Sequence, residues 1–299
     1  MEYVLQTQNL TKVYSGVPVV NDVSLNVKKG EIYGFVGKNG AGKTTLIRLI
    51  LGLANPTSGS YTLLGDSDVN RARRKTGSLI ESPALYANMT AKENLELYCT
   101  MLGTDKKSVG EMLEIVGLSN TGKKKARDFS LGMKQRLGIA MALIGEPEFI
   151  ILDEPINGLD PTGIVEVREL ILDLNKNHGK TIFISSHILG ELEKIATCYG
   201  IISKGKLVEE VSAKELNEKC GNYLTIKVDD VKKAVKVLFE AFKINNVSIE
   251  GRDTIVIRDE VENVGELSNE LFKSGITING ISKQEHSAEA YFLKKMEEA

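Results

Sequence analysis

Short runs of β-branched and aromatic residues separated by turns open the chain: Tyr3-Val4-Leu5, Val17 to Val20, and Val23-Ser24-Leu25-Asn26-Val27. This spacing predicts an antiparallel β layer leading into Glu31-Ile32-Tyr33-Gly34-Phe35-Val36, a buried strand. A glycine-rich turn follows, then a helical run from Lys43 to Ala54. From about Thr90 to Ala142 the pattern is mostly helical. Phe149-Ile150-Ile151-Leu152 and Thr181-Ile182-Phe183-Ile184 are continuous apolar runs bounded by polar residues, as expected of strands buried on both faces. Strands alternating with helices imply an α/β fold around a mostly parallel sheet. Ser203-Lys204-Gly205-Lys206 reads as a hairpin turn near the end of this region.

After about Cys220-Gly221-Asn222 the pattern restarts. Strands are predicted over Tyr223–Val228, Val247–Glu250, Thr254–Ile257 and Ile276–Ile281, and helices over Val231–Phe242 and Val261–Lys273. That order, βαββαβ, is the ferredoxin-like arrangement of a small α+β domain. A last amphipathic helix, about Ala288 to Met296, carries Tyr291, Phe292 and Leu293. The chain is therefore read as two domains, residues 1–218 and 219–299, with a helical subdomain at about 85–145. No internal repeat is visible.

Composition narrows the function classes. The 299 residues are 42% hydrophobic and 26% charged, ordinary values for a globular protein with a sizeable core. With 38 basic against 40 acidic residues the formal net charge is -2, which gives no electrostatic case for nucleic acid. Cys99, Cys198 and Cys220 form no CxxC pair and predict neither a disulfide framework nor a zinc site; they fit a reducing cytosol. Met1-Glu2-Tyr3-Val4 does not look like a signal peptide, and no run approaches the roughly 18 apolar residues that span a bilayer.

Gly37-Lys38-Asn39-Gly40-Ala41-Gly42-Lys43-Thr44 matches G-x-x-x-x-G-K-T between a predicted strand and a predicted helix. Glycines let backbone N–H groups curl around phosphates without a Cβ in the way, and the helix N-terminus adds a favourable dipole. Lys43 is expected on the β- and γ-phosphates and the Thr44 hydroxyl on Mg²⁺. Phe149-Ile150-Ile151-Leu152-Asp153-Glu154 then supplies two carboxylates at a strand end. Asp153 is the expected magnesium residue, and Glu154, placed at the γ-phosphate, the general base for the attacking water.

Four further motifs follow in order. Residues 3 to 215 resemble the nucleotide-binding domain of ATP-binding cassette (ABC) transporters. Tyr14 lies where that family sets an aromatic ring against adenine. The family's LSGGQ signature appears as Phe129-Ser130-Leu131-Gly132-Met133, followed by Lys134-Gln135-Arg136. Asn157-Gly158-Leu159-Asp160 matches the D-loop, and His187 in Ser185-Ser186-His187 the switch histidine. The resemblance implies a P-loop NTPase fold and an ATPase using ATP and Mg²⁺. Its nucleotide site would comprise Tyr14, Gly37, Asn39, Gly40, Ala41, Gly42, Lys43, Thr44 and Thr45. Glu154 and His187 would be catalytic. Ser130, Gly132, Met133 and Gln135 would contact the ATP of a second cassette, with Asp160 beside them, so that two ATP molecules lie in a head-to-tail dimer. A transmembrane permease on a separate chain would be the partner, at the cytoplasmic face of the cell membrane.

One departure narrows the resemblance. Where the family usually has a Gln that senses Mg²⁺ and the attacking water and touches the membrane subunit, Gly77-Ser78-Leu79-Ile80-Glu81-Ser82-Pro83 places Glu81. With Thr44 and Asp153 it makes up the expected metal set, and it adds negative charge beside a triphosphate. This E-loop, the signature style and the C-terminal extension resemble the bacitracin-resistance and lantibiotic-immunity exporters. Two other readings stand beside it. One is a soluble ABC ATPase acting on nucleic acid or ribosomes, disfavoured by the single cassette and the short stretch from Thr45 to Ser130. The other is an importer ATPase whose C-terminal domain senses a ligand. A GTPase is disfavoured because Asn175-Lys176-Asn177-His178 lacks the acid of NKxD.

Overall fold

A computed structural model describes residues 2–66, 68–220, 223–259, 261, 263–284 and 288–298. Met1, Gly221 and Asn222 at the predicted restart, and Glu262 of the helix predicted from Val261, lie outside the described residues. The chain divides into two compact units, Met1–Ala213 with Phe292–Ala299, and Lys214–Tyr291.

The first unit runs β1 (Tyr3–Tyr14), β2 (Val17–Val23), β3 (Asn26–Lys28), β4 (Ile32–Val36), α1 (Lys43–Ile50), β5 (Ser58–Leu63), α2 (Val69–Arg73), β6 (Thr76–Leu79), α3 (Ala91–Leu102), α4 (Val109–Ile115), α5 (Leu131–Leu143), β7 (Phe149–Asp153), α6 (Pro161–Lys176), β8 (Thr181–Ser186), α7 (Leu189–Leu192), β9 (Cys198–Ser203) and β10 (Lys206–Ser212). A six-stranded sheet has the order β10-β9-β4-β8-β7-β6, parallel except for the β9–β10 hairpin at Lys204-Gly205. Every residue of β4, β7 and β8 is buried, which is why these three read as unbroken apolar runs. The antiparallel layer is built on β1, which pairs with β2, β3 and β5. The layers meet in one core that includes Leu5, Val27, Phe35, Leu46, Phe149 and Phe183.

Four elements differ from the expectation. β1 is one strand of 12 residues, because it changes partner along its length and Asn9, at φ 48°, breaks the two-residue alternation. α1 stops at Ile50: Gly52 turns left-handed at φ 73°, and the Tyr61 hydroxyl donates to the Leu49 carbonyl at 2.9 Å. β5 and β6 carry too few apolar side chains to be read as strands, and pairing alone forms them. A Cβ on Gly77 of β6 would lie 1.9 Å from the Ala142 carbonyl oxygen, so only glycine lets α5 pack this close to the sheet.

Helix starts follow capping chemistry. Thr90 and Glu93 form a reciprocal capping box on α3, Ser130 caps α5, and Asp160 caps α6 ahead of Pro161.

The second unit contains most of α8 (Ala213–Cys220), then β11 (Tyr223–Val228), α9 (Val231–Phe242), β12 (Val247–Glu250), β13 (Thr254–Ile257), α10 (Val264–Lys273) and β14 (Ile278–Gln284). Its four strands form an antiparallel sheet, order β12-β13-β11-β14, over a core of Leu224, Ile226, Leu238, Ile257, Leu267 and Leu271. The last helix, α11 (Ala288–Glu298), gives its end from Phe292 onward to the first unit, whereas its place in the sequence puts it with the second. Phe292 packs on Tyr199 with ring centroids 5.4 Å apart, and the Ser203 hydroxyl donates to the Met296 carbonyl at 3.0 Å.

A half-buried polar contact in the first unit makes stability depend on pH. Glu210 Oε1 accepts from the Tyr33 hydroxyl at 2.8 Å and from the Asn26 N–H at 3.0 Å, while burial pushes its carboxyl above the ordinary range. Folding therefore favours the protonated acid, so this group adds stability as pH falls toward the usual carboxylate range and withdraws it as pH rises through the raised value. Glu210→Gln keeps the acceptor and removes the charge. Its melting temperature should exceed wild type at neutral pH, with the gap narrowing on acidification in paired thermal melts.

Candidate functional site

The predicted chemistry collects at one edge of the parallel sheet. The phosphate loop follows β4, Asp153 ends β7, His187 follows β8, and Glu81 lies two residues past β6. In open α/β sheets the carboxyl ends of the strands form the ligand-binding edge.

Close packing requires two of the loop's glycines, Gly37 and Gly42. A Cβ on Gly37 would lie 2.6 Å from Ile202 Cγ2, and one on Gly42 would lie 2.6 Å from the Val19 carbonyl oxygen. Gly42 also caps α1 at φ 107°, in the left-handed region. Lys43, only 5% exposed, donates to the carbonyls of Gly37 at 2.6 Å and Lys38 at 3.3 Å. Its third partner is Glu154 Oε1, 3.1 Å away. Val19, Asn39, Gly40, Gly42, Lys43, Thr44, Thr45 and Glu154 line a cavity of about 200 Å³ at this point, and Ala41 is buried beneath it.

The two carboxylates stand in different surroundings. Asp153 is fully buried; its Oδ1 accepts from the Ser185 hydroxyl, while Oδ2 is buried without a hydrogen-bond partner. Such an orphaned acceptor fits a magnesium-bound water, since Mg²⁺ is usually held by one or two carboxylates together with phosphates. Among the described residues no group of three or more His, Cys, Asp or Glu side chains is placed to hold a metal ion by itself. Glu154 sits at φ 50°, in the left-handed region, and its N–H donates to Ser185. Its Oε2 lies 2.8 Å from His187 Nδ1 and accepts from the His187 N–H at 3.4 Å. Lys43, Glu154 and His187 thus form one chain of polar contacts. Ser185 was not among the predicted site residues; its only signal in the sequence was adjacency to the Ser-His pair.

The signature residues are elsewhere in the unit. Ser130 is exposed and its hydroxyl accepts from the Met133 N–H at 3.2 Å; Leu131 beside it is 49% exposed. Gly132 is buried and Met133 half-buried. Gln135, expected to reach the ATP of a second cassette, is only 5% exposed, one turn along α5 from Leu131. Asp160 accepts from the Gly163 N–H at 3.1 Å.

A family model described as "ABC transporter" matches residues 20–157, which hold the phosphate loop, the signature and both carboxylates. The chain is 45% identical over 298 residues to the bacitracin transport ATP-binding protein BcrA of Enterococcus faecalis, covering 98% of this chain and 96% of that protein. The ABC transporter ATP-binding proteins are its family. It is an ATPase. The lantibiotic transport ATP-binding protein SrtF of Streptococcus pyogenes is 48% identical over 69% of this chain and 90% of its own length. Among solved structures, a dimeric ATP-binding cassette in a post-hydrolysis state, bound to ADP and Pi, superposes with a TM-score of 0.62 at 27% identity, covering 70% of this chain and 98% of that one.

Two of the predicted site residues of this ABC ATPase lie outside the cavity lining. Tyr14, 45% exposed at the end of β1, has the Lys12 ammonium 4.8 Å from its ring centroid and does not line the cavity. Glu81, at φ 57°, is ion-paired to Arg48 Nη2 at 2.9 Å and is also absent from the cavity lining. Arg48 on α1 thus pairs with the carboxylate that was expected to add negative charge beside the triphosphate.

Proposed function

We propose that this ATPase drives export of a peptide antibiotic of the bacitracin or lantibiotic kind, through a separate permease at the cytoplasmic face of the cell membrane. The observation that carries the reading is the 45% identity to a bacitracin transport ATP-binding protein along 298 residues, a span that includes the second unit as well as the cassette. Among the described residues no helix is long and apolar enough to cross a membrane; the pathway for cargo is assigned to the permease.

In this mechanism ATP enters along the phosphate loop and Lys43 exchanges Glu154 for the β- and γ-phosphates. Thr44 and Asp153 would hold Mg²⁺, which neutralises charge on the phosphates. Glu154, released from Lys43 and still oriented by His187, accepts the proton of the attacking water. Ser130 and Gly132 of a second cassette, with Asp160 at the seam, complete the site from across a head-to-tail dimer. ATP then stabilises the closed pair by its higher affinity for that state, and hydrolysis opens it. The second unit is an accessory to the cassette rather than part of its chemistry.

Contact with the permease falls beside Glu81. Ala84, Leu85, Tyr86, Asn94, Leu97, Tyr98, Met101 and Met141 line a largely apolar cavity of about 320 Å³ there. Asn94 fastens its rim by accepting from the Tyr86 N–H at 2.8 Å. In the assembled transporter, Glu81→Gln should lower export per ATP hydrolysed several-fold. Losing an exposed ion pair costs only about 0–1 kcal/mol, so the fold is retained. Export and ATPase both unaltered would leave Glu81 without a mechanistic part. The reading as a whole is tested by what co-purifies from detergent-solubilised membranes: a multi-span permease is expected, and a ribosome or DNA would overturn it.

A further inference from the structure

We infer that Ser185 is a positioning residue that sets the magnesium carboxylate and the general base together. The inference rests on the assignment of Asp153 to Mg²⁺. Ser185 lies in β8 directly opposite Asp153 of β7 and is fully buried. A hydroxyl has one proton to donate and two lone pairs to accept with. Here the proton goes to Asp153 Oδ1, and a lone pair takes the Glu154 N–H at 3.1 Å, with the Ser185 carbonyl accepting from the same N–H at 3.1 Å.

Each contact has a consequence. Tying down Oδ1 selects the rotation of the Asp153 carboxylate, so Oδ2 is the oxygen left buried and without a partner. Fixing the Glu154 N–H holds a non-glycine residue in left-handed backbone at φ 50°, and this turn sends its carboxylate toward Lys43 and His187. The neighbouring serine acts elsewhere. Ser186 Oγ accepts from the Ile188 N–H at 2.9 Å and shapes the turn that carries His187. Of the two serines, it is Ser185 that joins the Asp153 carboxylate to the Glu154 backbone. Partners that orient a metal-binding group, without touching the metal, typically change metal affinity by about 10–100-fold when removed.

The test is equilibrium binding of a fluorescent ATP analogue to the full chain, titrated with Mg²⁺. Ser185→Ala should raise the Mg²⁺ concentration for half-maximal tight binding by about tenfold or more. Binding without Mg²⁺ should stay near wild type, and Ser185→Thr, which keeps the hydroxyl, should restore the Mg²⁺ dependence. Ser185→Cys, close in size but a weak donor, should shift it in the same direction and replaces the alanine variant if that one does not fold. Unchanged Mg²⁺ dependence in Ala and Cys, or an equal loss with and without Mg²⁺, would overturn the inference. Asp153→Asn in the same assay separates the two layers. A flat response there, with Ser185→Ala like wild type, removes only the role of Ser185; a wild-type response there removes the magnesium assignment and this inference with it.

Discussion

Glu154→Gln is expected to keep ATP bound and to cut its hydrolysis by about 10²–10⁴-fold, the usual contribution of a positioned general base. The cause is local. The amide has the shape of the acid, so contact with His187 Nδ1, at 2.8 Å in the wild type, survives in reduced form. It cannot take a proton from water at neutral pH. It also ends the ion pair that occupies Lys43 at 3.1 Å, which frees the ammonium for phosphate and favours the nucleotide-bound state. ATP should therefore accumulate between two cassettes, and gel filtration with ATP should show a dimer that the wild type holds only transiently. Normal turnover with no dimer would remove Glu154 from its assigned role.

Lys43→Ala is expected to act at the earlier step. Each charge-assisted hydrogen bond is worth about 1.5–3 kcal/mol, so losing the contact to the phosphates should weaken ATP binding by roughly 10–100-fold. A second effect follows from burial: Lys43 is 5% exposed and pairs with Glu154 Oε1, a buried oxygen for which no other partner is seen, so the empty variant should also melt lower than wild type. Isothermal titration and thermal melts measure the two effects separately. An unchanged ATP affinity would discredit the phosphate-loop assignment.

How much of this was legible in the sequence depended on contiguity. The loop from Gly37 to Thr44, the strand ending in Asp153 and Glu154, and the Ser-Ser-His turn are unbroken segments whose chemistry and context can be read together. Ile32 to Val36, Phe149 to Leu152 and Ile182 to Ile184 read as apolar runs because the sheet is covered on both faces. What stayed hidden depends on pairing across distance. Arg48 and Glu81 are 33 positions apart, and nothing in the sequence marks them as a pair. Ser185 and Asp153 meet only because β8 lies beside β7, and a serine has no spacing signature of its own. β5 and β6 owe their form to β1 and β7, not to their own composition. Gln135 sits in the signature segment, yet the turn of α5 packs it inward. The end of α11 was assigned by order along the chain, whereas Phe292 finds its partner in Tyr199.

A site shared between two copies is the core of the proposed mechanism, and mixing inactive chains tests it most directly. Lys43→Ala disables the phosphate loop. Ser130→Asp keeps a good helix N-cap, so α5 should still start at the same place, but puts a carboxylate where a partner's triphosphate must sit. Each variant alone should be nearly inactive. In the mixed dimer, one site combines the Lys43 loop of one chain with the Ser130 of the other, both wild type. ATPase activity should therefore reappear on mixing. Activity absent from the mixture, or a Ser130→Asp chain that hydrolyses ATP at the wild-type rate by itself, would contradict a shared site.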